Sequence, residues 1–142
     1  SSKEIYTVGW AGEIWEFSKN TWTQQQSPST EILTGVCCAD DDMAYICGKN
    51  GTFLRGRHKN WEDLSQKNIT EDFWDIISYK NKIYVSSMTQ IYELKGDKVV
   101  PVVFGKSSPK TCFKMTTADG ILWSVGQQDI FSFDGKKWTE VD

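Results

Sequence analysis

Cysteine and histidine are the side chains best suited to nucleophilic or metal chemistry, and this sequence is poor in both. It contains one histidine and four cysteines. No two cysteines have the Cys-x-x-Cys spacing that zinc sites favour. Cys37 and Cys38 are adjacent and would point to opposite faces of a strand. We interpret all four thiols as small core residues of a protein in a reducing, cytoplasmic compartment. A Cys38–Cys47 disulfide is the alternative.

Two charged clusters could in principle bind an ion or a nucleic acid. The acidic run Asp40–Asp42 could bind a cation, but such runs are more often solvated turns between strands. The basic group of Arg55, Arg57, His58 and Lys59 is small and belongs to a chain of net charge -3, which argues against nucleic acid. No serine or cysteine is spaced to act with His58 as a nucleophile. The sequence therefore predicts no catalytic residue, no metal site and no cofactor, and a protein that is not an enzyme. With no apolar run of membrane-spanning length, no membrane partner is expected.

Aromatic residues recur along the chain at a constant spacing. A step of 39 residues leads from Tyr6 to Tyr45, Tyr84 and Trp123. A second series runs through Trp22, Trp61, Val99 and Trp138, with one residue fewer in its middle step. Because random placement would not keep this phase, the chain is built from four copies of one structural unit.

Each unit contains short apolar segments separated by turn signals about every ten residues, which is typical of β-strands. Asn50-Gly51 is a strong signal for a type I′ hairpin turn. Adjacent apolar residues within one strand indicate a sheet buried on both faces by neighbouring sheets. The sequence thus predicts an all-β fold, a small β-propeller of about four blades with 39-residue, four-stranded repeats. We assign a single domain, 1–142, with blades at approximately 5–24, 32–65, 72–103 and 112–141.

The first repeat lacks its inner strand, because the residues before Ile5 are few and polar and the chain stops just after the Trp138 strand. An unpaired inner edge leaves backbone groups without partners, which folded proteins avoid. Three arrangements remain open. The ring closes as a four-bladed monomer, which is our first expectation; two chains self-associate into a roughly eight-bladed ring; or a partner donates the missing strand.

These repeats resemble the short blades of bacterial β-propellers, with aromatic-x-Val-Gly, a glycine turn and a later tryptophan. Residues 132–138 also resemble a shortened Asp-box, the turn motif of sialidase-type propellers. Sialidases of this fold would need three arginines around the substrate carboxylate, and this chain has only Arg55 and Arg57. The resemblance therefore implies the fold and excludes that enzyme activity.

Trp10 is the aromatic residue that the repeat does not explain. Its equivalents are Lys49, Met88 and Gln127, so the fold does not require an aromatic side chain there, and an exposed tryptophan on a turn is a candidate contact residue. In propellers this turn shares a face with the loops between blades, here 24–31, 65–72 and 104–110, which vary in sequence as binding loops do. The predicted partner-binding residues are Trp10, Lys49, Asn50, Lys67, Glu71, Asp72, Met88, Gln90, Lys106, Gln127 and Gln128.

Three functions are compatible with these observations. The first is a non-catalytic protein-interaction module that binds another protein. The second is an inhibitor, such as an immunity protein neutralising a bacterial toxin, because a mildly acidic surface can steer toward a basic partner. The third is a carbohydrate-binding lectin, although lectin sites should recur in each blade and the equivalents of Trp10 do not match it.

Overall fold

The 39-residue repeat forms four antiparallel meanders, each a separate sheet with strands in chain order. The computed structural model describes residues 4–141, so the ends of the predicted domain, 1–3 and 142, lie outside the described residues. Blade 1 consists of β1 (Ile5–Val8), β2 (Ile14–Ser18) and β3 (Thr21–Gln25). Blade 2 consists of β4 (Leu33–Cys38), β5 (Ala44–Gly48), β6 (Phe53–Arg57) and β7 (Asn60–Asp63). Blade 3 consists of β8 (Asp75–Tyr79), β9 (Lys82–Ser86), β10 (Ile91–Lys95) and β11 (Lys98–Pro101). Blade 4 consists of β12 (Lys114–Ala118), β13 (Ile121–Val125), β14 (Ile130–Phe133) and β15 (Trp138–Glu140).

The predicted repeat and the three-stranded first blade are confirmed. Tyr6, Tyr45, Tyr84 and Trp123 each lie on the strand that pairs with the third strand of a full blade, at the same register position. The sheet of blade 1 contains only three strands among the described residues. The conserved register means that one position of the repeat can be compared directly between blades.

The inner strands of blades 3 and 4 begin at Asp75 and Lys114, after the predicted blade starts at 72 and 112. Ahead of them, Trp74 still donates its backbone N–H to Ser86 of its own blade at 2.8 Å, but Phe73 and Cys112 bond to the previous blade or its turn. The backbone N–H of Phe73 donates to the carbonyl of Gly48 at 3.0 Å, and that of Cys112 donates to Met88 at 2.7 Å. Inter-blade hydrogen bonds thus replace the expected start of each strand.

The predicted type I′ turn is present in the first two blades. Asn50 and Gly51 both have positive φ, 53° and 67°, and Thr52 donates its backbone N–H to Lys49 to close the turn. Ala11 and Gly12 adopt the same conformation. Since only glycine adopts this region without strain, the glycines explain why these hairpins turn here.

Three layers of apolar side chains hold neighbouring blades together. Ile14, Ile46 and Leu54 pack between blades 1 and 2. A second layer, which includes Tyr45 and Val85, lies between blades 2 and 3. The third lies between blades 3 and 4. The core is therefore a stack of inter-sheet layers, as expected for a propeller.

The four blades form an open arc, so the expectation of a closed four-bladed monomer is wrong for the described residues. Extended packing occurs only between blades adjacent in sequence, through β1 with β4, β4 with β8, and β8 with β12. No cluster of buried apolar side chains in residues 4–141 joins blade 4 to blade 1. Within residues 4–141, no helix has the length and apolar character to cross a bilayer.

Candidate functional site

The turns between the second and third strand positions of each blade lie against the segments that link the blades. The backbone N–H of Leu33 donates to Gly9 at 3.0 Å, and that of Lys49 donates to Ile32 at 2.9 Å. Together with the Phe73 and Cys112 bonds described above, these contacts repeat from blade to blade. We call the surface formed by the turns 9–13, 48–52, 87–90 and 126–129 and the linking segments 26–32, 64–74 and 102–113 the loop face.

Trp10 is the most prominent side chain of the loop face. It is 75% exposed at the start of the turn Trp10–Gly12. Behind it, Gly12 is buried, and a Cβ added there would overlap the backbone carbonyl of Ser29. The turn is therefore pressed against the linking segment, and it holds an exposed indole on a rigid support. Its role as a contact residue stays a prediction.

The turn of blade 2 carries a polar network that joins the linking segments on both sides. Asn50 donates its backbone N–H to Asp72 Oδ1 and its side-chain Nδ2 to Glu31 Oε1, both at 3.0 Å. Lys49 Nζ lies 3.6 Å from Asp72 Oδ2 and 5.7 Å from the centre of the Trp74 ring. Three of the predicted site residues, Lys49, Asn50 and Asp72, thus lie together. A partner would meet a patch that mixes both charges with an aromatic ring.

Two of the predicted residues are occupied within the fold. Glu71 accepts a hydrogen bond from the Tyr92 hydroxyl. Burial, and then this carboxylate, raise the pKa of Tyr92. Gln90 donates Nε2 to the carbonyls of Ile91 at 2.7 Å and Val102 at 3.3 Å. These two side chains stabilise blade 3, so they have less capacity to bond a partner.

The remaining predicted residues are exposed but spread along the arc: Lys67, Met88, Lys106, Gln127 and Gln128. The structure places them on the loop face without joining them to the network around Asn50. The predicted loop 104–110 also begins differently than expected, because Phe104 is buried against Phe131 and Trp138. Its neighbour Val103 is the exposed apolar side chain in this segment.

Sequence reasoning missed Glu31 and Trp74 as members of the blade 2 network. Glu31 is the last residue of the predicted variable loop 24–31, and its negative charge in that loop could have identified it. Trp74 lies at the start of predicted blade 3, but in the structure it precedes β8 and faces Lys49. A tryptophan outside both repeat series, as Trp10 is, was the signal that could have identified it.

The cysteines are free thiols, and the burial of Cys47 and Cys112 and the partial burial of Cys37 agree with their interpretation as core residues. Cys38 is the exception, because it ends β4 and is exposed. Desolvation raises the pKa of Cys37 and Cys47 to about 12 and that of Cys112 to about 11. Buried thiols of this kind are poor nucleophiles at neutral pH.

The acidic run serves as a turn. Asp41 accepts hydrogen bonds from the Tyr45 hydroxyl at 2.7 Å and from the backbone of Met43 at 3.0 Å. Burial, and then this bond to Asp41, raise the pKa of Tyr45 to about 12. Among the described residues, no group of three or more histidine, cysteine, aspartate or glutamate side chains is arranged to hold a metal ion.

The basic group is neutralised by neighbouring carboxylates. Arg55 pairs with Glu62 at 2.9 Å and with Asp97 of blade 3 at 3.0 Å. His58 Nδ1 lies 2.9 Å from Glu16 Oε1 of blade 1. The Arg55–Asp97 pair and the His58–Glu16 contact link neighbouring blades, so these two side chains are part of the architecture.

The comparisons with known proteins agree with this architecture. No family model matches the sequence. Among solved structures, the fold is similar to an inactive variant of virginiamycin B lyase from Staphylococcus aureus, with a TM-score of 0.82, 15% identity, and coverage of 100% of this chain and 53% of that one. It is also similar to the WD40 propeller domain of Doa1, with a TM-score of 0.68, 10% identity, and coverage of 95% and 49%. A third similar structure is the computationally designed protein Ika8, with a TM-score of 0.70, 8% identity, and coverage of 100% and 46%. The chain has the β-propeller fold.

A curated relative is similar in sequence as well. The chain is 46% identical over 141 residues to the immune protein Tsi7 of Pseudomonas aeruginosa strain PAO1. The match covers 99% of this chain and 46% of the relative. The chain therefore spans less than half the length of that relative, just as it spans about half of the similar solved propellers.

Proposed function

We propose that this chain is an immunity-type protein that neutralises a toxin by binding it. The observation that carries the proposal is the 46% identity with the immune protein Tsi7, which extends along 99% of this chain. The aligned stretch spans all four blades and therefore includes their loops, where partner specificity is usually encoded. It favours the inhibitor over a general interaction module and over a lectin.

Inhibition by binding needs a rigid surface and no catalytic group. The inter-sheet layers and the backbone bonds between blades support the loop face from behind. A preorganised surface loses little conformational entropy on binding, so more of the contact energy appears as affinity. We propose that the chain acts without catalysis and in the cytoplasm, where thiols such as the exposed Cys38 stay reduced.

We place the toxin contact on the loop face around blades 1 and 2. Trp10 supplies a large apolar contact, and exposed tryptophans are frequent hot spots of interfaces. Glu31 and Asp72 add carboxylates at the turn of blade 2, where both accept hydrogen bonds from Asn50. In a chain of net charge -3, these carboxylates would speed association with a basic partner.

The first test is genetic and uses the proteins encoded directly beside this gene in its source genome. Each neighbour is expressed in a bacterial host with and without this chain, and viable cells are counted. We expect one neighbour to be toxic alone and tolerated when this chain is present. If no neighbour is toxic, or if toxicity persists with this chain well expressed, the proposal fails.

The second test locates the binding surface with the toxic neighbour as probe. Trp10→Ala should weaken its binding by about 1–3 kcal/mol in calorimetric titrations, because a hot-spot side chain is removed. The melting temperature should barely change, since the indole is exposed. Val103→Ala, at an exposed apolar side chain that is not among the predicted contact residues, is the matched control and should bind nearly normally. If Trp10→Ala binds the toxin with unchanged affinity, the contact lies elsewhere on the chain.

A further inference from the structure

We infer that the cleft between blades 1 and 2 binds a small molecule that carries both a guanidinium and a carboxylate group, with free arginine as the simplest example. The cleft lies between β2, β3 and the turn that joins β6 to β7, and its volume is about 630 Å³. Small-ligand sites usually measure about 300–1,000 Å³. Its floor is formed by strands and not by the turns and linking segments of the loop face, so this site is separate from the proposed toxin contact.

Gln25 is a buried polar residue at a position that the other blades fill with an apolar one. It pairs with Ile14 at the end of β3. Its equivalents, Leu64, Val102 and Val141, each donate a backbone N–H to the residue equivalent to Ile14, and all three are apolar. Gln25 is nevertheless only 8% exposed. A buried amide is costly unless its polar atoms are hydrogen-bonded, and the fold does not require one at this position.

The amide of Gln25 has a defined orientation and a free acceptor. Its Nε2 lies 3.3 Å from the carbonyl oxygen of Thr23. Because a carbonyl only accepts hydrogen bonds, the nitrogen must be the atom that faces it. Gln25 Oε1 is buried, and no group among residues 4–141 donates to it. Since Gln25 lines the cleft, a ligand in the cleft is the natural donor to this oxygen.

Glu16 adds a carboxylate to the same floor. It is 6% exposed and pairs with Thr23, so it is a diagonal neighbour of Gln25 on the same face of the sheet. Its hydrogen-bond partner in the described part of the chain is His58, whose Nδ1 lies 2.9 Å from Oε1. A carboxylate has about four acceptor sites, and a buried one is stable only when they are well satisfied. Glu16 therefore also has acceptor capacity for a ligand.

The amide oxygen of Gln25 and the carboxylate of Glu16 together match a guanidinium group. A guanidinium carries five N–H donors in a planar fork, so it can donate to two neighbouring side chains at once. An ammonium group is a compact point charge and suits two separate acceptors less well. The buried floor of the cleft thus selects for a ligand whose inner end is a guanidinium.

The mouth of the cleft has the opposite charge. Lys19 and Lys59 line it and are exposed, whereas Glu16 is buried. The other carboxylate of the cleft, Glu4, is already paired with Arg57 at 3.3 Å. The two lysines would repel a simple cation, but they would attract the carboxylate of a ligand whose guanidinium reaches the floor. This order of charges favours a zwitterion such as arginine.

The wall formed by the β6–β7 turn is held in place before any ligand binds. The backbone N–H of His58 donates to the Tyr6 hydroxyl of blade 1 at 3.1 Å. The indole N–H of Trp61 donates to the His58 carbonyl at 2.8 Å. A preformed site loses little conformational entropy when it is filled, so the cleft can bind a small molecule without rearrangement of the blades.

Calorimetric titration of the purified chain with L-arginine tests the site, with L-citrulline and agmatine as matched probes. Citrulline has a neutral group of similar shape in place of the guanidinium, and agmatine lacks the carboxylate. We expect saturable binding of arginine to one site. Each of the other two probes should bind at least about tenfold more weakly, because each loses a charge-assisted contact.

Two variants and one control locate the bound arginine. Gln25→Leu introduces the residue type of Leu64 and should lower the arginine affinity at least about tenfold. Its melting temperature should stay equal or rise, since a buried acceptor without a partner is removed. Glu16→Gln should reduce the preference for arginine over citrulline. Gln24→Leu, whose side chain points to the other face of β3, should bind arginine as the parent chain does.

Three results would overturn the inference. They are the absence of saturable arginine binding, equal affinity for arginine and citrulline in the parent chain, and unchanged arginine affinity in Gln25→Leu. In each case the cleft would hold water and the buried amide would have no ligand of this class.

Discussion

The tryptophans at one position of the repeat have different contacts and different burial in different blades. Trp61 packs on Tyr6 and donates its indole N–H to the carbonyl of His58 at 2.8 Å. Trp138 stacks on Phe133 with ring centres 4.7 Å apart. Trp22 has the same place in its own sheet but faces solvent. Residue type and phase therefore specify where a side chain sits in its blade, whereas the adjacent blade decides how deeply it is buried.

Cys38 differs from the other thiols in exposure, and this leads to a test at the residue scale. In the folded protein, a disulfide-exchange reagent should label one thiol quickly, because the other three are half-buried or buried. Burial raises the pKa of Cys38, so labelling should accelerate as pH rises through and above the ordinary thiol range.

The control for this test is Cys38→Ser, which should abolish fast labelling, and denaturant should release all four thiols of the parent chain. Fast labelling that survives in Cys38→Ser would contradict the burial of Cys37, Cys47 and Cys112.

At the scale of elements, the turns are as informative as the strands. The turn at Asn50-Gly51 reverses the chain direction, and it also docks on the linking segment 64–74. The backbone N–H of Gly51 donates to Glu71 at 2.7 Å. The positive φ of Gly51 is required by the turn itself and can be predicted from the sequence. The docking of the turn on the linking segment joins residues that are far apart in the sequence.

Substitutions at Gly51 and Gly96 can measure the contributions of backbone conformation and of docking separately. Gly51 and Gly96 have similar positive φ, 67° and 63°, but a Cβ would overlap the Ile69 carbonyl at Gly51 and touch nothing at Gly96. Gly96→Ala should cost about 1–2 kcal/mol of unfolding free energy, from the left-handed backbone alone. Gly51→Ala should cost a further 1–3 kcal/mol or so, because the linking segment must move. Urea unfolding of both variants measures the difference, and equal losses would show that docking adds nothing to stability.

At the scale of the whole molecule, the arc has two inner blades and two end blades. Blades 2 and 3 are covered on both faces, whereas blades 1 and 4 are each covered on one. In repeat architectures, stability is roughly a sum of units and their interfaces. A free arc should therefore unfold from its ends.

Hydrogen exchange of the folded chain tests this expectation. Amides of β5 and β9 should exchange most slowly, and those of β1 and β13 should exchange faster, since local opening there disrupts one interface instead of two. Uniform protection across these strands would mean that the four blades unfold as one unit.

The sequence alone was sufficient for the local architecture. The spacing of Tyr6, Tyr45, Tyr84 and Trp123 predicted four units, the turn signals predicted their strands, and the polar residues before Ile5 predicted a missing inner strand. These features depend on backbone conformation and on the period of side chains along a strand, which neighbours in sequence control. The exposed Trp10 could be identified from the sequence as well, because its equivalents in the other repeats showed that the fold does not require an aromatic side chain at that position.

Only the tertiary structure decided how the units are assembled and which side chains remain available. It showed an open arc instead of a closed ring, placed Cys38 outside the core, and joined Glu31 to Asn50 while Tyr92 engages Glu71. Each of these depends on the angle between sheets and on contacts between residues of different strands and loops. That angle is set jointly by entire side-chain layers, such as the one containing Tyr45 and Val85. Because no single position of the repeat encodes it, closure of the ring could not be derived from the 39-residue pattern.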